Sequence, residues 1–173
     1  MIKILQTIIL LLSSLVFSQS FYDLSIEGIN GDLISFSDFK GKNVLIVNVA
    51  SKCGYTSQYA DLQKLSEDFD NLIVLGVPCN QFANQEPKAE SEIFAFCSNK
   101  YDVSFPMTKK IKVKGYNQHP LYQWLTKKEL NNVGDYSIKW NFNKFLISNK
   151  GELISYFPSR IKPYSDDIIK LLK

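Results

Sequence analysis

Arginine and histidine are nearly missing from this chain. Of its twenty basic residues nineteen are Lys, Arg160 is the one Arg, and His119 is the one His. A net charge of +3 spread over lysines makes no clustered basic face, which argues against nucleic acid as a partner. Three cysteines and one His offer no Cys/His cluster, so no zinc site is expected, and nothing else in the sequence implies a metal or organic cofactor. The cysteines Cys53, Cys79 and Cys97 are too few for a disulfide-stapled scaffold, and at least one stays unpaired within the chain. There is no Cys-x-x-Cys, no internal repeat, no low-complexity tract and no interior linker. What is present is ordinary for a globular protein: 173 residues, 45% hydrophobic, 13% aromatic and 21% charged. That excludes a disordered tail, a fibre and a coiled coil.

Residues 1–18 read as an export signal, cleaved to leave one domain, 19–173. Lys3 and the amino terminus supply the positive end, Ile4 to Phe17 the apolar stretch, and Val16 and Ser18 the small residues before a cleavage point. The stretch is shorter than the ~18–20 apolar residues of a membrane span, and Gln6, Thr7, Ser13 and Ser14 interrupt it. No stable membrane anchor is therefore expected. Export places the protein in a periplasmic, secreted or secretory-pathway space, where a cysteine pair can cycle through a disulfide.

The mature part alternates strand and helix patterns. Gly28 and Gly31 punctuate Ile26 to Phe36, which predicts an N-terminal hairpin. Val44 to Ala50 is almost wholly apolar and β-branched, the pattern of a strand buried on both faces. Tyr59, Leu62, Leu65 and Phe69 follow at helical spacing behind a candidate Thr56 cap. Leu72 to Val77 reads as a second buried strand, Glu90 to Asn99 as a helix with Ile93, Phe96 and Cys97 on one face, and Pro120 to Leu130 as another with Leu121, Trp124 and Leu125 inward. Lys144 to Ser148 and Leu153 to Phe157 form a hairpin around Asn149–Gly151, and Ile168, Ile169, Leu171 and Leu172 close the chain as a helix. The order predicts an α/β, thioredoxin-like fold: a central mixed sheet flanked by helices.

Cys53 lies just past a buried strand and just before a helix, a junction where backbone N–H groups and the positive helix end favour a thiolate nucleophile. Lys52 adds positive charge. Position 56 is Thr, so this is not a Cys-x-x-Cys disulfide reductase. Ala50 stands where a peroxiredoxin has Thr. Cys79 ends a strand and reads as structural. Cys97 by itself reads as a core residue. Lys109, Lys110, Lys112 and Lys114 read as a solvated face or a docking patch for an acidic substrate or reductant, and His119, before Pro120, as structural.

Three segments, Asn48–Thr56, Pro78–Pro87 and Trp140–Leu146, resemble the glutathione peroxidase family in composition, order and spacing. The resemblance spans the mature chain. Two departures are Val77, where Phe is common, and Ala83, where Gly is common. The resemblance implies that Cys53 takes the place of the family's selenocysteine or cysteine nucleophile, and that Gln85, Trp140 and Asn141 complete its tetrad. Their amide and indole N–H groups are donors that favour a charged sulfur and can hold a leaving oxygen. It also implies that Cys97 matches the resolving cysteine of thioredoxin-dependent members. The expected activity is reduction of hydrogen peroxide and organic or lipid hydroperoxides through a Cys53 sulfenic acid and a Cys53–Cys97 disulfide, with a thioredoxin-like protein or glutathione as reductant. Reaching that disulfide is expected to unwind the helix that holds Cys97. The segment Thr126 to Ile138 is too short for the assembly loop of tetrameric members, so a monomer is expected. Two alternatives stay open: a glutathione-dependent enzyme in which Cys97 is inert, and a non-enzymatic thiol sensor that passes its oxidation to a partner.

Overall fold

The computed structural model describes residues 19–172, so the proposed export segment lies outside the described residues. Ser20 opens the fold: its Oγ accepts from Tyr22 N at 3.3 Å while Asp23 Oδ2 accepts from Ser20 N at 3.0 Å, closing a short 3₁₀ turn over Phe21–Asp23. The expected hairpin follows as β1 (Ser25–Glu27) and β2 (Leu33–Ser35), antiparallel and separate from the main sheet.

The central sheet has four strands in the order β4-β3-β5-β6. Strand β3 (Asn43–Val49) runs parallel to β4 (Leu72–Pro78), joined through α1 (Gln58–Asp68). Its other edge pairs antiparallel with β5 (Lys144–Ile147), which pairs antiparallel with β6 (Leu153–Phe157). The remaining helices are α2 (Glu90–Tyr101), α3 (Pro120–Thr126), α4 (Lys128–Asn131) and α5 (Asp166–Ile169). This is the mixed sheet of a thioredoxin-like fold.

The apolar run of β3 is explained by its two covered faces. Leu45, Val47 and Val49 point into one core layer with Tyr59, Leu62 and Leu65 of α1 and Ile93 and Cys97 of α2. Val44 and Ile46 point into the other, with Leu121, Trp124 and Leu125 of α3 and with Phe21 and Phe36. Each buried Val, Leu or Ile contributes roughly 1.5–3 kcal/mol, so this strand helps anchor both layers. Gly76 lets the Phe105–Thr108 segment lie along the outer edge of β4: a Cβ there would come within 3.1 Å of the Phe105 ring and 3.3 Å of Met107.

Four local expectations are corrected. Thr56 does not cap α1, because Ser57 is its N-cap residue and Thr56 Oγ1 bonds Cys53 N and Ala50 O instead. Phe69 lies just past the last turn. The expected helix from Pro120 to Leu130 is two helices, broken at Lys127 (φ −112°, ψ 121°). The break arises because Thr126 O accepts from Tyr136 N at 2.9 Å and Lys128 N donates to Asp135 Oδ1 at 2.9 Å, so partners from the following loop replace helical ones. The C-terminal helix is one turn, and Leu172 reaches the core from beyond it.

Candidate active site

Three loops at the ends of β3, β4 and before β5 build the site. The first carries Cys53. Thr56 closes it by accepting from Cys53 N at 2.9 Å and donating to Ala50 O at 2.9 Å, while Thr56 N donates to Cys53 O at 3.0 Å. The Cys53 sulfur accepts from Tyr55 N at 3.4 Å. At 9% exposure the residue sits at the margin between core and solvent, where a small oxidant can reach it.

The second loop follows β4. Its backbone turns through two left-handed residues, Ala83 (φ 51°) and Asn84 (φ 51°). Asn tolerates that region, whereas Ala bears strain there that the Gly expected from the resemblance would not. The loop is tied to the first: Lys52 N donates to Gln85 O at 3.0 Å, and Ser51 N and Oγ both donate to Glu86 Oε2, at 2.8 and 3.0 Å. Burial pushes the Glu86 carboxyl upward, opposed by the two Ser51 bonds. Glu86 Oε1 is buried without a partner.

The third loop carries Trp140 and Asn141, and Asn48 of β3 holds it. Asn48 Nδ2 donates to Trp140 O at 2.9 Å, and Asn48 Oδ1 accepts from Asn143 N at 2.9 Å. Phe142 takes a left-handed backbone (φ 63°) as the loop turns into β5. Asn141 Nδ2 donates to Gln85 Oε1 at 3.0 Å, so the structure joins two of the expected tetrad side chains directly. Asn141 Oδ1 is buried with no partner. The Trp140 ring, 37% exposed, leans on Phe82 with centroids 6.0 Å apart. Beside it opens a cleft of about 410 Å³ bordered by Tyr55, Lys139, Trp140, Tyr156 and Arg160.

Cys97 lies on α2, fully buried, in the same core layer as Cys53. Burial pushes its thiol up to about 11. The Tyr59 hydroxyl lies near enough to be felt by that thiol, but makes no hydrogen bond of good geometry. Cys79 is across the sheet in the other layer, its sulfur accepting from Gln81 N at 3.4 Å and its pKa raised by burial. All three cysteines are free thiols.

The lysine run has divided duties. Lys109 pairs with Glu27 at 2.7 Å, Lys110 bonds the carbonyls of Lys88 and Glu86 at 2.6 and 3.3 Å, and Lys114 stands 4.3 Å over the Phe82 ring. His119 is the N-cap of α3, its Nδ1 accepting from Leu121 N at 3.2 Å. Three residues that sequence reasoning missed are Asn48, Glu86 and Lys144, each fully buried. Asn48 and Lys144 adjoin apolar strand residues, and that isolation was the available signal.

Among the described residues no helix is long and apolar enough to cross a membrane, and no cluster of His, Cys, Asp or Glu is placed to hold a metal ion. The glutathione peroxidase family profile matches residues 21–126. The chain is 48% identical over 157 residues to the glutathione peroxidase of Lactococcus lactis, covering 88% of this chain and 99% of that one. It is 45% identical over 150 residues to the glutathione peroxidase-like peroxiredoxin 2 of Saccharomyces cerevisiae, covering 86% of this chain and 93% of the yeast protein. The crystal structure of Trgpx in its apo form superposes with a TM-score of 0.69 at 38% identity, covering 90% of this chain and 96% of that one. A profile matching more than half of the chain, and relatives matched along nearly their whole lengths, lead to one conclusion: the chain belongs to the glutathione peroxidase family of peroxidases.

Proposed function

We propose that this chain is a cysteine-type thiol peroxidase that reduces hydrogen peroxide and organic hydroperoxides to water or alcohols, with Cys53 as nucleophile, Cys97 as resolving thiol and a thioredoxin-like dithiol as reductant. The observation that carries the reading is the distribution of the cysteines. Cys53 and Cys97 are free and packed in one core layer, and Cys79 is on the opposite side of the sheet.

In the first step the Cys53 thiolate attacks the terminal oxygen of the hydroperoxide. The S–O bond forms, the O–O bond breaks, and the alkoxide or hydroxide leaves and takes up a proton. Donors preorganised around that point act where charge develops, the arrangement with the largest leverage on such a barrier. The Tyr55 N–H already points at the sulfur. This reading assigns the rest of the polar shell to the Asn141–Gln85 pair, tied to the Cys53 loop through Lys52 N and Gln85 O, and to the Trp140 indole. In the second step the Cys97 thiol, freed from α2, attacks the Cys53 sulfenic acid. The disulfide forms and water leaves. A dithiol reductant then attacks the disulfide and is itself oxidised to a disulfide, restoring both thiols.

We infer in addition that residues 1–18 direct export and are removed, and that the mature protein acts as a monomer. The charged start and interrupted apolar stretch support the first, and the short Thr126–Ile138 segment the second. Non-reducing peptide mass spectrometry after one equivalent of peroxide tests the central reading, with Cys53→Ser as control. A Cys53–Cys97 disulfide in the wild type and loss of peroxide reduction in Cys53→Ser are expected. A single oxidised Cys53 that small thiols alone recycle would favour the glutathione-dependent alternative, and a Cys53→Ser protein that keeps its rate would refute the mechanism.

A further inference from the structure

Lys144 opens β5 and is fully buried, and its ammonium meets three uncharged acceptors: Gln58 Oε1 at 2.5 Å, Ile161 O at 2.6 Å and Ser159 O at 3.4 Å. A buried charge without a bonded counter-ion is costly, and an apolar side chain would fill the same space more cheaply. The acceptors supply a reason for the cation. Gln58 opens α1, the helix after the Cys53 loop, whereas Ser159 and Ile161 follow β6. Gln58 Nε2 also donates to Ser159 O at 2.8 Å, so two donors grip one carbonyl.

From Ser159 the chain of bonds runs into the site. Ser159 Oγ donates to Asn141 O at 2.6 Å and accepts from Asn143 Nδ2 at 3.4 Å. Asn141 Nδ2 donates to Gln85 Oε1 at 3.0 Å, and Gln85 O accepts from Lys52 N, the residue before Cys53, at 3.0 Å. We propose, resting on the peroxidase reading above, that Lys144 and Ser159 are positioning residues for peroxide reduction: Lys144 fixes the Ser159 turn, and Ser159 holds the backbone of Asn141 so that the Asn141–Gln85 pair is set against the Cys53 loop.

The surroundings of Lys144 give the strut a pH signature. Val47 of β3 and Phe157 of β6 face it across the sheet, α1 contributes Gln58 and the carboxylate of Asp61, and the segment after β6 contributes the Ser159 and Ile161 carbonyls. Burial pulls the ammonium down to about 7, against the attraction of Asp61. An ammonium has three donors for the three acceptors, and a neutral amine has two. The strut therefore loosens as pH rises through neutrality.

The test is the rate of Cys53 oxidation by hydrogen peroxide, followed by rapid mixing in wild type, Lys144→Met, Ser159→Ala and the double variant. Lys144→Met is expected to react about tenfold more slowly than wild type near pH ~6, the scale of one lost hydrogen bond to a charged group. By pH ~8.5 the deficit should shrink to about twofold, because the wild-type lysine has then lost its proton too. Ser159→Ala should lower the rate by several-fold at every pH, and the double variant should be no slower than the slower single, since both cut one path. A Lys144→Met rate equal to wild type, or a deficit that does not change with pH, overturns the proposal. If Lys144→Met does not fold, Ser159→Ala decides, and a rate matching wild type overturns it. A wild-type protein whose Cys53 does not react with peroxide refutes the peroxidase reading itself, and this proposal with it.

Discussion

Opening α2 should set the pace of disulfide formation, and Ala95→Gly is the substitution that shows it. Ala95 is solvent-exposed near the middle of α2, so replacing it disturbs no core contact. Cys97, two residues on, is buried with its thiol raised to about 11 from an ordinary 9.0. Near pH 7 that leaves a thiolate fraction of roughly one in ten thousand in the closed helix and about one in a hundred once exposed. Opening therefore raises the reactive form about a hundredfold, besides freeing the sulfur to reach Cys53. Gly in a helix interior costs about 1 kcal/mol relative to Ala, which multiplies the locally open population by about five. The assay mixes reduced protein with one equivalent of peroxide, quenches with an alkylating agent at successive times, and counts the Cys53–Cys97 peptide by mass spectrometry. Disulfide formation should be about fivefold faster in Ala95→Gly, with the first oxidation of Cys53 unchanged. A disulfide step that is unchanged or slower would refute the reasoning, since it would mean that Cys97 attacks without leaving its helix.

Cys97→Ser should leave the first oxidation of Cys53 nearly unchanged, yet collapse turnover with a thioredoxin-like donor and bring over-oxidation of Cys53 at lower peroxide, read as sulfinic acid by intact mass. Turnover at the wild-type rate with that donor would make Cys97 a core residue only. Trp140→Phe keeps an aromatic ring against Phe82 but deletes the indole N–H, and should slow peroxide reduction by the equivalent of about 1–3 kcal/mol; an unchanged rate and an unchanged pH profile of Cys53 alkylation would remove Trp140 from the polar shell. Lys144 also links stability to pH. Its folded value near 7 lies below the unfolded 10.5, so between these the unfolded chain holds more protons and stability rises with pH. Relative to Lys144→Met, wild-type stability in urea should therefore climb by up to about 1.4 kcal/mol per pH unit from pH ~7.5 to ~9.5, and parallel profiles of the two proteins would contradict a titrating buried lysine.

Elements governed by local pattern were legible in the amino-acid sequence. The apolar run of β3, broken only by Asn48, required burial on both faces, the spacing of Tyr59, Leu62 and Leu65 required a helix, and Asn149–Gly151 marked the β5–β6 turn, where Gly151 takes φ 81°. Cys53 was legible because its motif and its place between strand and helix are features of consecutive residues. Where a distant segment supplies the partner, the local pattern was silent or misleading. Thr56 looks like a helix cap, but Ala50 O and Cys53 N claim its hydroxyl. The helix after Pro120 looks continuous, but Tyr136 N takes the Thr126 carbonyl. Lys144 reads as a polar strand end, and it is a buried strut because Gln58, 86 residues away, faces it. Residue type and periodicity thus determined the elements and singled out Cys53 as the candidate nucleophile, while the resemblance of three segments to a known family supplied the candidates for the polar shell. Only the tertiary structure decided that Cys97 shares a core layer with Cys53 while Cys79 does not, and how Gln85, Asn141, Ser159 and Lys144 are linked. The reason is physical: a strand or helix is specified by the burial preferences of residues a few positions apart, whereas a hydrogen bond between loops needs both partners held in place by a sheet that neither of them encodes.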